Sequence, residues 1–233
     1  ALKGGRLHAM TSAGGLLQSG SFHAKDSLLS GPAGGVAGAA LVGRRAGHDQ
    51  VISFDMGGTS TDVARFDGDF EYVFEHRVGD ARLMAPALAI ETVAAGGGSI
   101  CHVEEGRLRV GPQSAGAQPG PAAYGAGGPL SLTDANLLLG RLDPERFGIP
   151  LVPERARERL EELRRGLIAE TGEEVGAEEL LEGFLDIANE RMADAIRRIS
   201  LQRGYDPADY ALVAFGGAGA QHACGVAVRL GIK

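Results

Sequence analysis

Residues 51–66 form the sequence VISFDMGGTSTDVARF. Two runs rich in β-branched and aromatic residues flank a double glycine, and this pattern predicts a β-hairpin with a glycine tip. Glycines expose backbone N–H groups in such a turn, and the neighbouring hydroxyls add donors, so the turn predicts a site for phosphate oxygens. The candidate phosphate contacts are Gly57, Gly58, Thr59, Ser60 and Thr61.

Two aspartates, Asp55 and Asp62, border this turn. Their charges would repel a polyphosphate unless a cation lay between them, and carboxylate oxygens with water are ligands that Mg²⁺ prefers. We therefore expect Asp55 and Asp62 to position a hydrated Mg²⁺ beside the phosphates. The alternative is an ordinary hairpin turn rich in Gly and Thr, which this motif alone leaves open.

A second glycine turn follows a fully apolar strand near the end of the chain. The strand is predicted at Ala211–Phe215, and a helix is predicted from Gln221 to about Leu230. A buried strand, a glycine turn and a helix start are typical of an anion or nucleotide site. The candidate contacts are Gly216, Gly217 and Gly219, although close packing alone also explains small residues here.

Composition limits the classes of function. The chain has 233 residues, a formal net charge of −7 and 44% hydrophobic residues, which suits a globular domain and argues against nucleic-acid binding. Its two cysteines, Cys101 and Cys224, lack metal-ligand spacing and suit a reducing, cytoplasmic compartment. No run is apolar enough to cross a membrane. The chain starts without Met and stops after a helix that should lead into another strand, so a segment of something longer is expected.

The pattern of the chain predicts a mixed α/β fold. Ser30 is the expected N-cap of a helix of small residues, and a short helix should start at Thr133. Apolar and charged periodicity predicts further helices over 154–170 and 177–203. Extended segments are expected over 70–78 and 82–93, and a long irregular loop over 111–129. The resulting predicted segments are 1–48 (leading strand, loop and glycine-rich helix), 49–110 (hairpin sheet), 111–175 (loop and helical insertion) and 176–233 (long helix and second turn).

The sequence predicts no metal site and no catalytic thiol among the histidines and cysteines. His222 and Cys224 are two residues apart, which places them on different faces of a helix, so His222 is expected to line the core or the cleft. No residue is assigned a catalytic role from the sequence.

Taken together, the motifs of the chain resemble the hydantoinase A and 5-oxoprolinase family, in order and in spacing, over nearly the whole length. The segments that carry this resemblance are 30–35 (SGPAGG), 55–62 (DMGGTSTD), 92–99 (TVAAGGGS), 111–121 (GPQSAGAQPGP), 133–136 (TDAN) and 215–219 (FGGAG).

The resemblance implies an actin-like ATPase fold of the ribonuclease H-like type, a mixed sheet with flanking helices and a helical and loop insertion. The turn at 55–62 is similar to the second phosphate loop of that superfamily, and the turn at 216–219 to its adenosine loop. It implies ATP and Mg²⁺ as cofactors. The implied activity is opening of a cyclic amide, such as hydantoin or 5-oxoproline, or activation of a ketone for carboxylation, together with a larger hydantoinase B-type subunit or domain.

The chain departs from the family pattern in three ways. Only one Asp-x-Gly-Gly-Thr turn occurs, at Asp55, whereas family members have another in a first lobe, so the chain is interpreted as the second lobe and is expected to be inactive alone. Ala123 stands where Cys is common, and Ala220 where Pro is common. Two rival hypotheses stay open: a non-catalytic actin-like module for subunit assembly or nucleotide binding, and a relative of the sugar and acetate kinases.

Overall fold

The central element of the fold is a five-stranded mixed sheet, seen in a computed structural model that describes residues 4–78 and 80–233. Across the sheet lie β11 (Ala211–Phe215), β3 (Gln50–Met56) and β4 (Thr61–Asp67). The far side of β4 is shared by β5 (Asp69–Phe70) and β8 (Ile90–Val93). β11 is parallel to β3, and the other pairs are antiparallel.

Helices cover both faces of this sheet. α1 (Ser30–Arg45) packs on one face, where Gly43 lies so close to Val51 that a Cβ on it would come within 2.3 Å of that side chain. α4 (Ala177–Arg203) and α5 (Gly219–Leu230) pack on the other face and against each other. The small residues of α1 therefore let the helix approach the strands closely.

The main core lies between the sheet and α4. Phe184, Met192 and Ile196 of α4 are fully buried, and they belong to one cluster with Phe54 and Val63 of the sheet. The apolar spacing of α4 matches the helical period, so one stripe of the helix is removed from water while its charged residues stay outside.

Smaller elements surround this centre. Three hairpins are formed by β1 (His8–Met10) with β2 (Leu16–Gln18), β6 (Tyr72–Val78) with β7 (Ala81–Leu88), and β9 (Ser99–Glu104) with β10 (Arg107–Ser114). Two further helices are α2 (Leu132–Leu138) and α3 (Pro153–Thr171). None of the helices in the described part of the chain is long and apolar enough to span a bilayer.

The structure confirms the mixed sheet with flanking helices, the glycine-tipped hairpin, and the helices predicted over 154–170 and 177–203. The division of the chain into four segments stays a prediction.

Five boundaries differ from the sequence expectation. Ser30 is the first residue of α1 and not its N-cap; Leu29 holds that position without a side-chain hydrogen bond. The extended segment 82–93 is divided between β7 and β8, which belong to different sheets. β10 continues to Ser114, into the expected loop, because it pairs with β9. α2 and α5 begin one and two residues before the predicted Thr133 and Gln221, at Leu132 and Gly219.

Candidate nucleotide-binding site

The two glycine turns lie side by side because the strands that lead into them are parallel neighbours. Phe215 at the end of β11 is paired with Asp55 near the end of β3. The N–H of Ala218 donates to the carbonyl of Met56 at 2.9 Å, which joins the second turn directly to the first. Two motifs far apart in sequence therefore form one continuous backbone surface.

The tip of the β3–β4 hairpin presents backbone donors. It is closed by the N–H of Gly57, which donates to the carbonyl of Ser60 at 3.0 Å. No described residue accepts a hydrogen bond from the N–H groups of Gly58, Thr59 or Ser60, and Gly58 and Thr59 are exposed. Consecutive free N–H groups of this kind suit the oxygens of an anion such as phosphate.

The second glycine turn, residues 216–219, also presents free backbone N–H donors. Among the described residues, none accepts from the N–H groups of Gly216 and Gly217, and both glycines are exposed. Gly219 is buried at the start of α5, beside the carbonyl of Phe54. The turn thus places free donors at the N-terminal end of a twelve-residue helix, where the helix dipole also favours an anionic group.

A glycine strap, residues 96–98, lies against the hairpin tip. Gly97 and Gly98 donate to the carbonyls of Gly57 and Gly58 at 3.0 and 2.7 Å. A Cβ on Gly96 would lie 2.6 Å from the amide nitrogen of Thr59, so no side chain fits at that position. The strap therefore engages the carbonyls of the tip while leaving its N–H groups without a protein partner.

Asp55 and Asp62 face each other directly across β3 and β4. Both are partly buried, and the Thr92 hydroxyl donates to Asp62 Oδ1 at 2.6 Å. Burial, followed by the charge of Asp62, raises the pKa of the Asp55 carboxyl. Two like charges directly opposite each other destabilise an antiparallel pair, and a cation between them removes this repulsion.

These carboxylates fit a magnesium ion that has other oxygen ligands. No group of three or more His, Cys, Asp or Glu side chains with metal-binding geometry occurs in the described residues. Mg²⁺ commonly takes one or two carboxylates and completes its shell with water and phosphate oxygens. Asp55 and Asp62, beside a turn with free backbone donors, match that arrangement.

Thr61 differs from its neighbours in the predicted phosphate set. Its side chain is fully buried, and its hydroxyl donates to the carbonyl of Ala95 at 2.6 Å. Alternation along β4 turns Thr61 towards α4, so the prediction that its hydroxyl contacts phosphate needs correction. The hydroxyls that remain at the tip are those of exposed Thr59 and partly buried Ser60.

Asp134, to which the sequence alone assigns no role, lies at the base of the long loop. Its buried carboxylate accepts from the N–H groups of Ala122, Ala123 and Ser131 and from the Ser131 hydroxyl, at 2.8 to 3.0 Å. Burial raises the pKa of Asp134 more than these hydrogen bonds lower it. The capping-box pattern Ser-x-x-Asp at the start of α2 was the available sequence signal.

The cysteines are remote from this chemistry. Cys101 is buried, and burial raises the pKa of its thiol well above the usual range, so the reactive thiolate is disfavoured. Cys224 is exposed on α5 and belongs to no metal-binding group in the described part of the chain.

A cavity of about 500 Å³ between the C-terminal ends of α4 and α5 has no comparable donor set. Its two arginines are already paired: Arg197 with Glu190 and Asp194, and Arg229 with Asp186 and Glu190. The glycine turns are therefore the better candidate for a site that binds an anionic ligand.

Comparisons with known proteins find relatives over nearly the whole chain. The family model described as "Hydantoinase/oxoprolinase" matches residues 1–233. A 5-oxoprolinase from Pestalotiopsis fici is 49% identical over 98% of this chain, which covers 18% of that protein. A 5-oxoprolinase from Saccharomyces cerevisiae is 46% identical over 96% of the chain, again 18% of its own length.

Two solved structures share the fold. The ATP-dependent caprolactamase from Pseudomonas jessenii aligns with a TM-score of 0.82 and 35% identity, over 97% of this chain and 33% of that chain. A nucleotide-free acetone carboxylase, from a study of ATP-dependent acetone carboxylation, aligns with a TM-score of 0.82 and 26% identity, over 97% and 32%. The chain thus spans less than a fifth of these two oxoprolinases and about a third of these two structures.

Proposed function

Because the chain belongs to the hydantoinase/oxoprolinase family, we propose that it forms one wall of an ATP-binding cleft, as the second lobe of an actin-like ATPase. The single observation that carries this proposal is the pair of adjoining glycine turns, whose free N–H groups lie at the same edge of one sheet. Such an edge, at the carboxyl ends of parallel strands, is where nucleotide phosphates bind in many α/β folds.

Each part of the surface has a distinct role in the proposal. Gly57, Gly58, Thr59 and Ser60 contact the phosphates through backbone N–H groups and two hydroxyls. Asp55 and Asp62 position Mg²⁺ through water molecules. The turn at 216–219 borders the adenosine.

When bound, MgATP supplies a phosphoryl group that activates a carbonyl or enolate oxygen of the substrate. The residues of this chain contribute by holding the phosphates in one orientation and by neutralising their charge through the metal. The proposed substrate is a cyclic amide or a ketone, in line with the substrates named for the caprolactamase and the acetone carboxylase. A hydantoinase B-type subunit or domain is the proposed partner.

One observation favours a second candidate, a nucleotide-binding module without catalysis of its own. The two turns offer backbone N–H groups, hydroxyls and two carboxylates that suit binding, and neither turn contains a histidine, cysteine or lysine. In this alternative the chain binds nucleotide and contributes to assembly, while the substrate reacts elsewhere. Turnover by a folded variant of this site in the full-length gene product decides between the two candidates, because only the cleft proposal expects the variant to lose it.

The proposal is tested with Asp55→Asn in the full-length gene product. We expect ATP hydrolysis to fall by at least about 100-fold and the affinity for MgATP to fall, because the metal loses a carboxylate. The affinity for Mg-free ATP should stay the same or rise, since a negative charge near the phosphates is removed. Calorimetric titration with and without Mg²⁺, together with a phosphate-release assay, measures these effects.

The matched control is Asp49→Asn, which removes an exposed aspartate just before the opposite end of the same strand. It should leave both measurements unchanged. Undiminished turnover in Asp55→Asn would sink the metal assignment, and failure of the wild type to bind ATP would sink the nucleotide site.

A further inference from the structure

The short helix α2 is hydrogen-bonded to the glycine strap and to α5 through buried polar side chains. Its residues Thr133 and Asn136 are buried, although a helix in this position could fill the same space with apolar residues. Buried polar groups cost free energy unless their hydrogen bonds are made, so their partners are informative.

Thr133 links α2 to the phosphate turn. Its hydroxyl and its backbone N–H both donate to the carbonyl of Gly97, at 2.9 and 2.7 Å. The N–H of Gly97 in turn donates to the carbonyl of Gly57 at 3.0 Å. A Cβ on Gly97 would lie 2.8 Å from the Thr133 hydroxyl, so the contact leaves no room for a side chain. The position of the hairpin tip is thereby tied to α2 through one residue of the strap.

Asn136 links α2 to the helix that follows the second turn. Its Nδ2 group lies 3.1 Å from Nε2 of His222, and it also donates to the carbonyl of Leu132 at 3.1 Å. His222 is the fourth residue of α5, which begins at Gly219 of the turn. The Nδ1 atom of His222 lies 2.8 Å from Oδ1 of Asn189 on α4.

The charge state of His222 fixes the direction of these hydrogen bonds. Burial, followed by the charge of Arg141, lowers the pKa of His222 to about 4, so the ring is neutral near pH 7. Asn189 Oδ1 can only accept, hence Nδ1–H of His222 donates to it, and Nε2 accepts from Asn136. All polar atoms of the histidine ring are satisfied within the fold.

The pairing of β11 with β3 and the bond from Ala218 to Met56 join the bases of the two turns. We propose that Thr133 and Asn136 are positioning residues that, beyond this joint, fix the hairpin tip relative to α5 and so align the phosphate and adenosine contacts. This inference rests on the proposed function, because it matters only if one ligand spans both turns. The adenosine and the phosphates of ATP are covalently joined. Binding of the phosphates at one turn therefore strengthens binding of the adenosine at the other only when the two turns keep the correct separation. α2 is the element of the described chain that hydrogen-bonds both to the strap and to α5 through side chains.

A double-mutant cycle on ATP binding separates positioning from simple packing. Thr133→Val removes the hydroxyl donor at nearly constant volume, and Asn136→Leu replaces the amide with an apolar group. Each single variant of the full-length gene product should weaken MgATP binding about 10-fold. The double variant should be hardly weaker than either single variant, because the two links act in series between the hairpin tip and α5.

Two further variants exclude a general loss of stability. Thr133→Ser keeps the hydroxyl and should restore binding to within about twofold of the wild type. Ser53→Ala removes a different buried hydroxyl, one that donates to the carbonyl of Ala64 at 3.2 Å within the same sheet, and it should leave MgATP affinity unchanged. Thermal melting without nucleotide confirms that each variant is folded.

The outcomes separate this inference from the proposed function. If the wild type does not bind MgATP, the proposed function fails. If the wild type binds and the folded single variants bind as tightly, or if the two losses multiply to about 100-fold in the double variant, the positioning role is overturned. If Asn136→Leu does not fold, Asn136→Ser takes its place. The same comparison with Thr133→Val then applies.

Discussion

At the scale of single residues, Gly216 shows how closely the two turns are fitted together. Its φ angle is +80°, a backbone conformation that side chains disfavour. A Cβ on Gly216 would lie 2.5 Å from both Asp55 Oδ1 and the carbonyl of Met56. Conformation and space therefore both require glycine here.

Gly216→Ala should lower the free energy of unfolding by about 2 kcal/mol or more, from backbone strain and displacement of neighbouring atoms. It should also weaken MgATP binding, because Asp55 has to move. Gly217→Ala is the matched control for stability: nothing lies within 4 Å of a Cβ there, and Gly217 is not among the glycines with positive φ. Urea unfolding of the two variants gives the comparison, calorimetry of Gly216→Ala measures the affinity, and an equal loss of stability in both would contradict the argument.

At the scale of elements, α4 provides much of the apolar surface of the core. Leu180, Phe184, Met192 and Ile196 all face the cluster beneath the sheet, while Leu201 near the end of the same helix is 82% exposed. The periodicity that predicted the helix thus also identified its buried stripe, because burial is a local consequence of helical spacing.

Phe184→Ala should lower the free energy of unfolding by about 3 to 5 kcal/mol, because a fully buried ring leaves a cavity that the packed helices fill only in part. Leu201→Ala, in the same helix, should change it by less than about 0.5 kcal/mol. Denaturant titration of both variants measures the difference. A small effect at Phe184 would mean that the core relaxes around the missing ring.

Local elements could be predicted from the sequence because turns, caps and periodicity are local signals. The hairpin at 51–66 and the two long helices were predictable for this reason. The strap over the hairpin was not, since nothing in residues 96–98 specifies that their N–H groups bond to Gly57 and Gly58. The side-chain direction of Thr61 depended on β4 being covered by α4, which is also a tertiary property.

At the scale of the whole molecule, the acid stability of the fold depends on His222, which joins α2, α4 and α5. Its pKa is about 4 in the folded chain, compared with 6.5 as its ordinary value. Between these two values the unfolded chain binds a proton that the folded chain does not bind, so stability falls as the pH falls.

Lowering the pH from about 6.5 to about 4 should therefore cost about 3 kcal/mol of stability through this one residue. Above pH 6.5 the residue should add no pH dependence. His222→Gln removes the titration and should flatten the curve of unfolding free energy against pH in that window, at the expense of lower stability near pH 7. An unchanged slope in the variant would show that His222 is protonated in the folded chain as readily as in water.

That the two glycine turns lie side by side could be predicted only through the resemblance to a family. Composition and spacing marked both turns as candidate sites, yet their adjacency depends on β11 lying beside β3, which no local signal reports. The polar residues of α2 belong to the motif at 133–136, to which the sequence assigns no role, because their partners lie on the strap and on α5.

The parallel pairing of β11 with β3 also sets the order in which the protein can be completed during synthesis. The hairpin at 51–66 can form early, from neighbouring residues, but its edge stays open until Ala211 to Phe215 have left the ribosome. Pairing over such a separation is slow compared with hairpin formation. Until then a nascent chain carries a finished hairpin with one exposed strand edge, and the surface on which both glycine turns meet cannot form.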